Sequence, residues 1–341
     1  MKLSNLLHSE IAEARIAKMP GKGDLRIALT SKCNLQCTYC HNEGSLPPWV
    51  AAKNDIKLLQ IEDLISVAAS HGARSVKFTG GDPTVYRHFI ELLTKIKMWR
   101  LQFPSIEKWG ISTNGLAFLK QKYFNALLNS ELDNICIGID SIDDSELSKP
   151  SSKVGVSGSR LFSDFVHPLA AKWSADRSIK INVVFDGNTE RVTRVVSACV
   201  TAGIDVSIIE LNGVMGSVHE TRAEFIKLYE KLREEYAATE HYNSVLNQYT
   251  LIPIGKEKRI TFYQDHCADL DCGHCRNLHL RVSPAGGQIN AIPCFLQTQN
   301  EGYQITVDGK VNSNHFRTAM DLNGRGPQWR ELLNQYKSND G

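Results

Sequence analysis

The sequence predicts an α/β fold: six βα units forming a partial (β/α)6 barrel or open parallel sheet, followed by a small C-terminal domain. Three observations carry this. From Leu25 to about Leu211, nearly continuous apolar, often β-branched runs alternate with segments of helical periodicity, the pattern of parallel strands covered on both faces. Polar turns follow the first three runs, at the strand ends where α/β folds place their ligands. A second group of cysteines, Cys267 to Cys294, lies beyond the alternating region.

In chain order, residues 5–18 read as a short amphipathic helix. Strands are expected at 25–30, 75–79, 108–113, 134–140, 180–185 and 205–211, with helices at 60–71, 87–102, 117–129, 161–174 and 189–202. Crossovers joining parallel strands are right-handed. The expected divisions are an N-terminal extension (1–24), the barrel (25–215), a linking helix (216–244), and a cysteine-bearing C-terminal domain with a final helix (245–341).

The bulk properties suit an enzyme of the cytoplasm. In 341 residues, 39 basic and 37 acidic side chains leave a net charge of +2, which argues against general nucleic-acid or membrane-surface binding. No apolar run approaches the roughly 18–20 residues of a membrane span, and the N-terminus lacks the apolar stretch of a signal peptide. Nine cysteines, clustered in motifs, point to metal in a reducing compartment rather than to disulfides.

The most informative run is Thr30-Ser31-Lys32-Cys33-Asn34-Leu35-Gln36-Cys37-Thr38-Tyr39-Cys40. Cys33, Cys37 and Cys40 offer three thiolates to a four-iron (4Fe-4S) cluster and leave one iron open to a small molecule. Gly80-Gly81-Asp82-Pro83 lets backbone approach a ligand, and Asp82 has the charge to pair with an ammonium. Ser112-Thr113-Asn114-Gly115 suits a carboxylate or ribose. Taken singly, both are ordinary turns, and Tyr39 is a packed tyrosine. Downstream, Cys272-Gly-His-Cys275 with Cys294, and Cys267 five residues before Cys272, has the spacing of a zinc site or an iron–sulfur cluster. Cys136 and Cys199 lie in apolar segments and read as small buried hydrophobes.

Together these motifs resemble the radical S-adenosylmethionine (SAM) superfamily over roughly residues 25–212, with Gly-Gly-Asp-Pro standing for the usual Gly-Gly-Glu-Pro. The resemblance implies that the open iron chelates SAM, whose one-electron cleavage yields a 5′-deoxyadenosyl radical that takes hydrogen from a substrate. The difficult chemistry is then the cofactor's. The MoaA-like (GTP 3′,8-cyclase) group is the nearest resemblance. It implies SAM contacts at Tyr39, Gly80, Gly81, Asp82, Pro83, Ser112, Asn114, Gly138 and Asn212. It implies contacts to an anionic substrate at Arg26, Lys77, Thr113, Lys180, His279 and Arg281. It also implies a twitch-type domain in which Cys272, Cys275 and Cys294, with or without Cys267, hold a second 4Fe-4S cluster.

The departures are specific. This chain ends Lys337-Ser338-Asn339-Asp340-Gly341 where that group ends Gly-Gly. Gly138 stands where a serine is usual, and the spacing to the last cysteine is longer. The reading is therefore hydrogen abstraction from an anionic, nucleotide-like small molecule in a biosynthetic pathway, with a flavodoxin or ferredoxin as electron donor. Three alternatives stand beside it: GTP 3′,8-cyclisation in molybdenum-cofactor synthesis, peptide modification, and a non-catalytic iron–sulfur or zinc sensor.

Overall fold

The computed structural model describes residues 23–30, 32–35, 37, 57–70, 73–143, 158–210, 218–243, 248–263, 277–283, 288–293, 303–306 and 311–312. Parallel strands β1 (Gly23–Ala28), β2 (Ala73–Thr79), β3 (Lys108–Thr113), β4 (Asn134–Gly138), β5 (Ser178–Phe185) and β6 (Asp205–Glu210) lie side by side in chain order. Helices α1 (Leu58–Ser70), α2 (Phe89–Gln102), α3 (Gln121–Leu128), α4 (Gly158–Leu161), α5 (His167–Lys172) and α6 (Thr189–Ala202) fall between them. All six expected strands are present, and the sheet stays open, as a partial barrel requires. The expected helix at 5–18 lies outside the described residues.

Strand alternation separates two faces. Leu25 and Ile27 of β1, Val76 and Phe78 of β2, and Trp109 and Ile111 of β3 are buried in the main core. Phe78 lies 6.5 Å from Trp99 of α2 and 6.4 Å from Trp109, and the two indoles stack at 6.3 Å. This aromatic layer anchors the helix to the sheet. Each such ring removes roughly 150–250 Å² from water, making the layer a main stabilising contact on this flank.

Two helical segments depart from expectation. Between α4 and α5 a π-helical turn, Phe162–Val166, replaces regular helix. Pro168 cannot donate to the carbonyl four residues back, so the ladder widens before it. The wider turn still buries Phe162, Phe165 and Val166. The linking helix, expected to reach 244, is α7 (Val218–Glu235), and β7 (Thr239–Asn243) follows it.

Beyond β6 the sheet continues through β9 (Ile260–Tyr263), β8 (Gln248–Ile252) and β7. On the other side β10 (Asn277–Ser283) adds in parallel to β1, followed by β11 (Gln288–Pro293), β12 (Tyr303–Thr306) and β13 (Val311–Asn312) in antiparallel order. Among the described residues these strands form one 13-stranded sheet. Its pairing crosses the expected boundary at 215, because β9 bonds directly to β6.

Candidate active site

The loops after β1 and β2 are tied together by their backbones. Gly81 N donates to the Thr30 carbonyl at 2.7 Å, and Asp82 N to the Lys32 carbonyl at 2.8 Å. This close approach requires Gly80, whose φ is +147° and whose added Cβ would lie 2.4 Å from the Thr30 oxygen. The glycine pair of the second loop thus serves the cysteine loop of the first.

Asp82 occupies the centre. It is 1 % exposed, and its carboxylate accepts from Thr84 N (2.9 Å), Thr84 Oγ1, Thr113 Oγ1 (2.9 Å) and Asn114 N (2.7 Å). Burial pushes its carboxyl above the ordinary aspartate value, and hydrogen bonds from Thr84, Asn114 and Thr113 pull it back. Two carboxylate oxygens offer about four acceptor positions, and four donors fill them. The side chain expected to meet an ammonium is instead turned inward, pinning the second loop to the third. Pro83 opens the short 3-10 turn Pro83–Val85, with Asp82 as its cap.

Asn114 joins the third loop to the first. Its Nδ2 donates to Asn34 Oδ1 at 2.7 Å and lies 3.8 Å from Cys33 Sγ, while its Oδ1 accepts from Leu116 N at 3.1 Å. Cys33 Sγ also receives Leu35 N at 3.3 Å. Cys33 is exposed, Cys37 is half-buried, and neither is in a disulfide. Accessible thiols with N–H groups directed at sulfur suit iron–sulfur ligation, so the described residues fit the cluster's donor chemistry. Cys40 and Tyr39 lie outside the described residues, as do Asn212, Cys267, Cys272, Cys275 and Cys294.

Basic positions align across the sheet by strand register. Register aligns His279 of β10, Arg26 of β1 and Lys77 of β2 in one row across three strands. Arg281 lies two residues further along β10, opposite Asn290. Lys77 Nζ donates to Cys136 Sγ at 3.1 Å, and Cys136 is in register with Lys180 of β5. Cys136 is buried, as expected, yet has a polar partner that no sequence spacing announced. Cys199 fits the simpler expectation, since burial alone pushes its thiol far up. Ser112 of β3 is half-buried and in register with Cys136. Gly138, at the end of β4, is exposed, and an added Cβ there meets nothing nearer than the Thr113 carbonyl at 3.9 Å.

Sequence reasoning missed Arg191. Its guanidinium is nearly buried and donates to the Val184 carbonyl (2.8 Å), Asp186 Oδ1 (2.8 Å) and the Asp140 carbonyl. Asp140 Oδ1 in turn accepts Val184 N at 2.9 Å. This pin ties the ends of β4 and β5 as Asp82 ties those of β2 and β3. An arginine in a helical pattern carries no signal of it; only the fold brings the ends of β4 and β5 to the helix.

Comparison with known proteins places the chain in a family. The GTP 3′,8-cyclase 2 of Mycobacterium tuberculosis is 30% identical over 190 residues, 55% of this chain and 49% of the relative. The GTP 3′,8-cyclase of Heliobacterium modesticaldum is 28% identical over 207 residues, 60% of this chain and 59% of the relative. The matches thus span only about half to three fifths of these relatives. Among solved structures, Streptococcus suis SuiB bound to S-adenosylmethionine superposes with TM-score 0.58 and 17% identity, covering 94% of this chain and 70% of that one. The Radical SAM superfamily matches residues 27–232, the span that contains all three interlocked loops, and the chain belongs to that superfamily.

Proposed function

We propose that this radical SAM enzyme holds its SAM-binding 4Fe-4S cluster on Cys33, Cys37 and Cys40 and acts on an anionic, nucleotide-like small molecule. The interlocked first three loops carry the first part: Gly81, Asp82 and Asn114 all bond to the loop that presents Cys33 and Cys37. When bound, the cluster supplies the electron for reductive cleavage of SAM and so the radical that takes hydrogen from the substrate.

The chain's own residues bind and orient. Gly80 and Gly81 bring backbone to the mouth, and exposed Gly138 leaves space at the end of β4. The row His279, Arg26 and Lys77, with Lys180 beyond Cys136, favours an anion by charge complementarity. A flavodoxin or ferredoxin is the proposed electron donor.

A second, auxiliary cluster is proposed on Cys272, Cys275 and Cys294, with or without Cys267 as a fourth ligand. Strands β10 and β11 form an antiparallel hairpin whose ends meet at Leu278 and Pro293. In sequence, Cys275 precedes Leu278 by three residues and Cys294 directly follows Pro293, a spacing that supports the proposal.

The test is anaerobic 5′-deoxyadenosine formation from SAM under reduction, with and without GTP, read by mass spectrometry. We expect cleavage that is abolished by replacing Cys33, Cys37 and Cys40 with Ala. Cleavage that survives the replacement overturns the cluster assignment. Strong stimulation by GTP with a cyclised product moves the assignment to GTP 3′,8-cyclase. Absence of cleavage by fully reconstituted protein favours the sensor reading.

A further inference from the structure

We propose that Asn114 is a positioning residue for Cys33, holding an amide N–H toward its sulfur, and that the Asp82 carboxylate fixes Asn114 in that place. The inference rests on the cluster assignment above and adds to it a role for two side chains that need not touch SAM.

The orientation of the Asn114 amide is set from both ends. Its oxygen accepts Leu116 N at 3.1 Å, so its nitrogen faces the cysteine loop, 2.7 Å from Asn34 Oδ1 and 3.8 Å from Cys33 Sγ. Amide orientation follows from such partners, and an N–H donor is demanded at Leu116. The backbone of Asn114 is held in turn by its N–H to Asp82 Oδ2 at 2.7 Å. Thr113, the preceding residue, donates to the same carboxylate and accepts Gly115 N at 3.1 Å. Asp82 itself is hung from the cysteine loop through its own N–H to the Lys32 carbonyl at 2.8 Å. The contacts close a ring: cysteine loop to Asp82, Asp82 to Asn114, Asn114 back to the cysteine loop.

Hydrogen bonds to cluster sulfurs, net charge and solvent exposure set the reduction potential of an iron–sulfur centre. An N–H directed at a thiolate stabilises the additional negative charge of the reduced state, so its loss drives the potential down. Cys33 is the exposed cysteine of the described pair, so the orientation of the donors the protein supplies to it matters more.

The experiment uses the reconstituted full chain and reads the potential of the cluster by anaerobic redox titration followed by electron paramagnetic resonance, alongside iron content and melting temperature. Asn114→Asp is the main variant. It keeps an oxygen for Leu116 N and the backbone bond to Asp82, and it replaces the N–H facing Cys33 with an acceptor. We expect wild-type iron content, a more negative potential, an altered spectrum on adding SAM, and SAM cleavage slowed about tenfold at fixed reductant. Asn114→Ser guards against misfolding of the first variant and should shift the potential in the same direction. Asp82→Asn should shift it too, and the Asn114→Ser/Asp82→Asn pair should shift it no further than Asn114→Ser alone, the signature of residues acting through one another.

A wild-type potential and spectrum in both folded Asn114 variants overturn the proposal. Additive shifts in the pair overturn the part assigned to Asp82. Wild-type protein that takes up no cluster on Cys33, Cys37 and Cys40 defeats the underlying assignment instead, and the wild-type iron analysis separates that failure from the others.

Discussion

An ideal Cβ on Gly80 meets the Thr30 carbonyl at 2.4 Å, whereas one on Gly138 meets nothing nearer than 3.9 Å. The two glycines therefore answer oppositely to substitution. Ala at a positive-φ position costs more than about 1 kcal/mol before any clash is counted, so Gly80→Ala should lower the melting temperature and the iron retained after reconstitution. Gly138→Ser should leave the melting temperature unchanged, within about 0.5 kcal/mol. By restoring the hydroxyl that the MoaA-like group places there, it should also lower KM for SAM in the 5′-deoxyadenosine assay. A different residue-scale prediction concerns Asp186. Burial raises its carboxyl, but the hydrogen bond and charge of Arg191, together with backbone N–H donors at Asn188 and Asp186, outweigh burial and hold it below the ordinary aspartate value. A carboxylate depressed on folding contributes stability above its unfolded pKa and loses it as pH falls through the folded one. Half-exposed as it is, the pair is worth about 0.2–1 kcal/mol. Urea unfolding should show Asp186→Asn less stable than wild type by that amount at neutral pH, with the gap closing as acid protonates the carboxylate, below the ordinary aspartate range.

Elements were far more legible than the bonds between them. The expected strand 108–113 coincides with β3, and the expected helix 189–202 with α6, because apolar period and helix capping are local properties. Asn188 caps α6 through its side chain, and Gly203 ends it in a left-handed conformation. The π turn was invisible because apolar spacing continues through it, and only the missing N–H of Pro168 marks the place. The stop of α7 at Glu235 was missed for a similar reason: Ala237 and Ala238 carry no breaker signal, yet Ala237 takes φ +44° and turns the chain into β7. At this scale the Phe78–Trp99–Trp109 layer invites a test. Trp109 Nε1 is buried with no hydrogen-bond partner among the described residues, so the indole N–H adds nothing favourable to the packing of its ring. Trp109→Ala should cost about 3–5 kcal/mol, and Trp109→Phe markedly less, since it keeps a ring and removes an unpaired polar group. Equal losses in chemical denaturation would contradict this account.

For the whole molecule, the strand order 1-2-3-4-5-6 was legible, and it sets the three polar loops side by side. The inward turn of Asp82, the Lys77–Cys136 contact and the Arg191 pin were not legible, because each includes a bond between residues 32 to 59 positions apart in sequence, made through geometry alone. The return of β10 to the edge of β1 was equally hidden, and it bears on how the protein is made. Asp24 and Asn277 are register partners, about 250 residues apart along the chain. Ribosomes add roughly 5–20 residues per second, so β1 waits roughly 10–50 s after its own synthesis for that neighbour. Through this interval its outer edge is a row of unsatisfied amides and carbonyls, the condition in which strands capture wrong partners. Pairing of such sequence-distant strands is also intrinsically slow. The cysteine loop follows β1 directly, so the proposed cluster site emerges beside an unfinished edge, and the lifetime of that edge sets how long nascent chains remain open to misassembly.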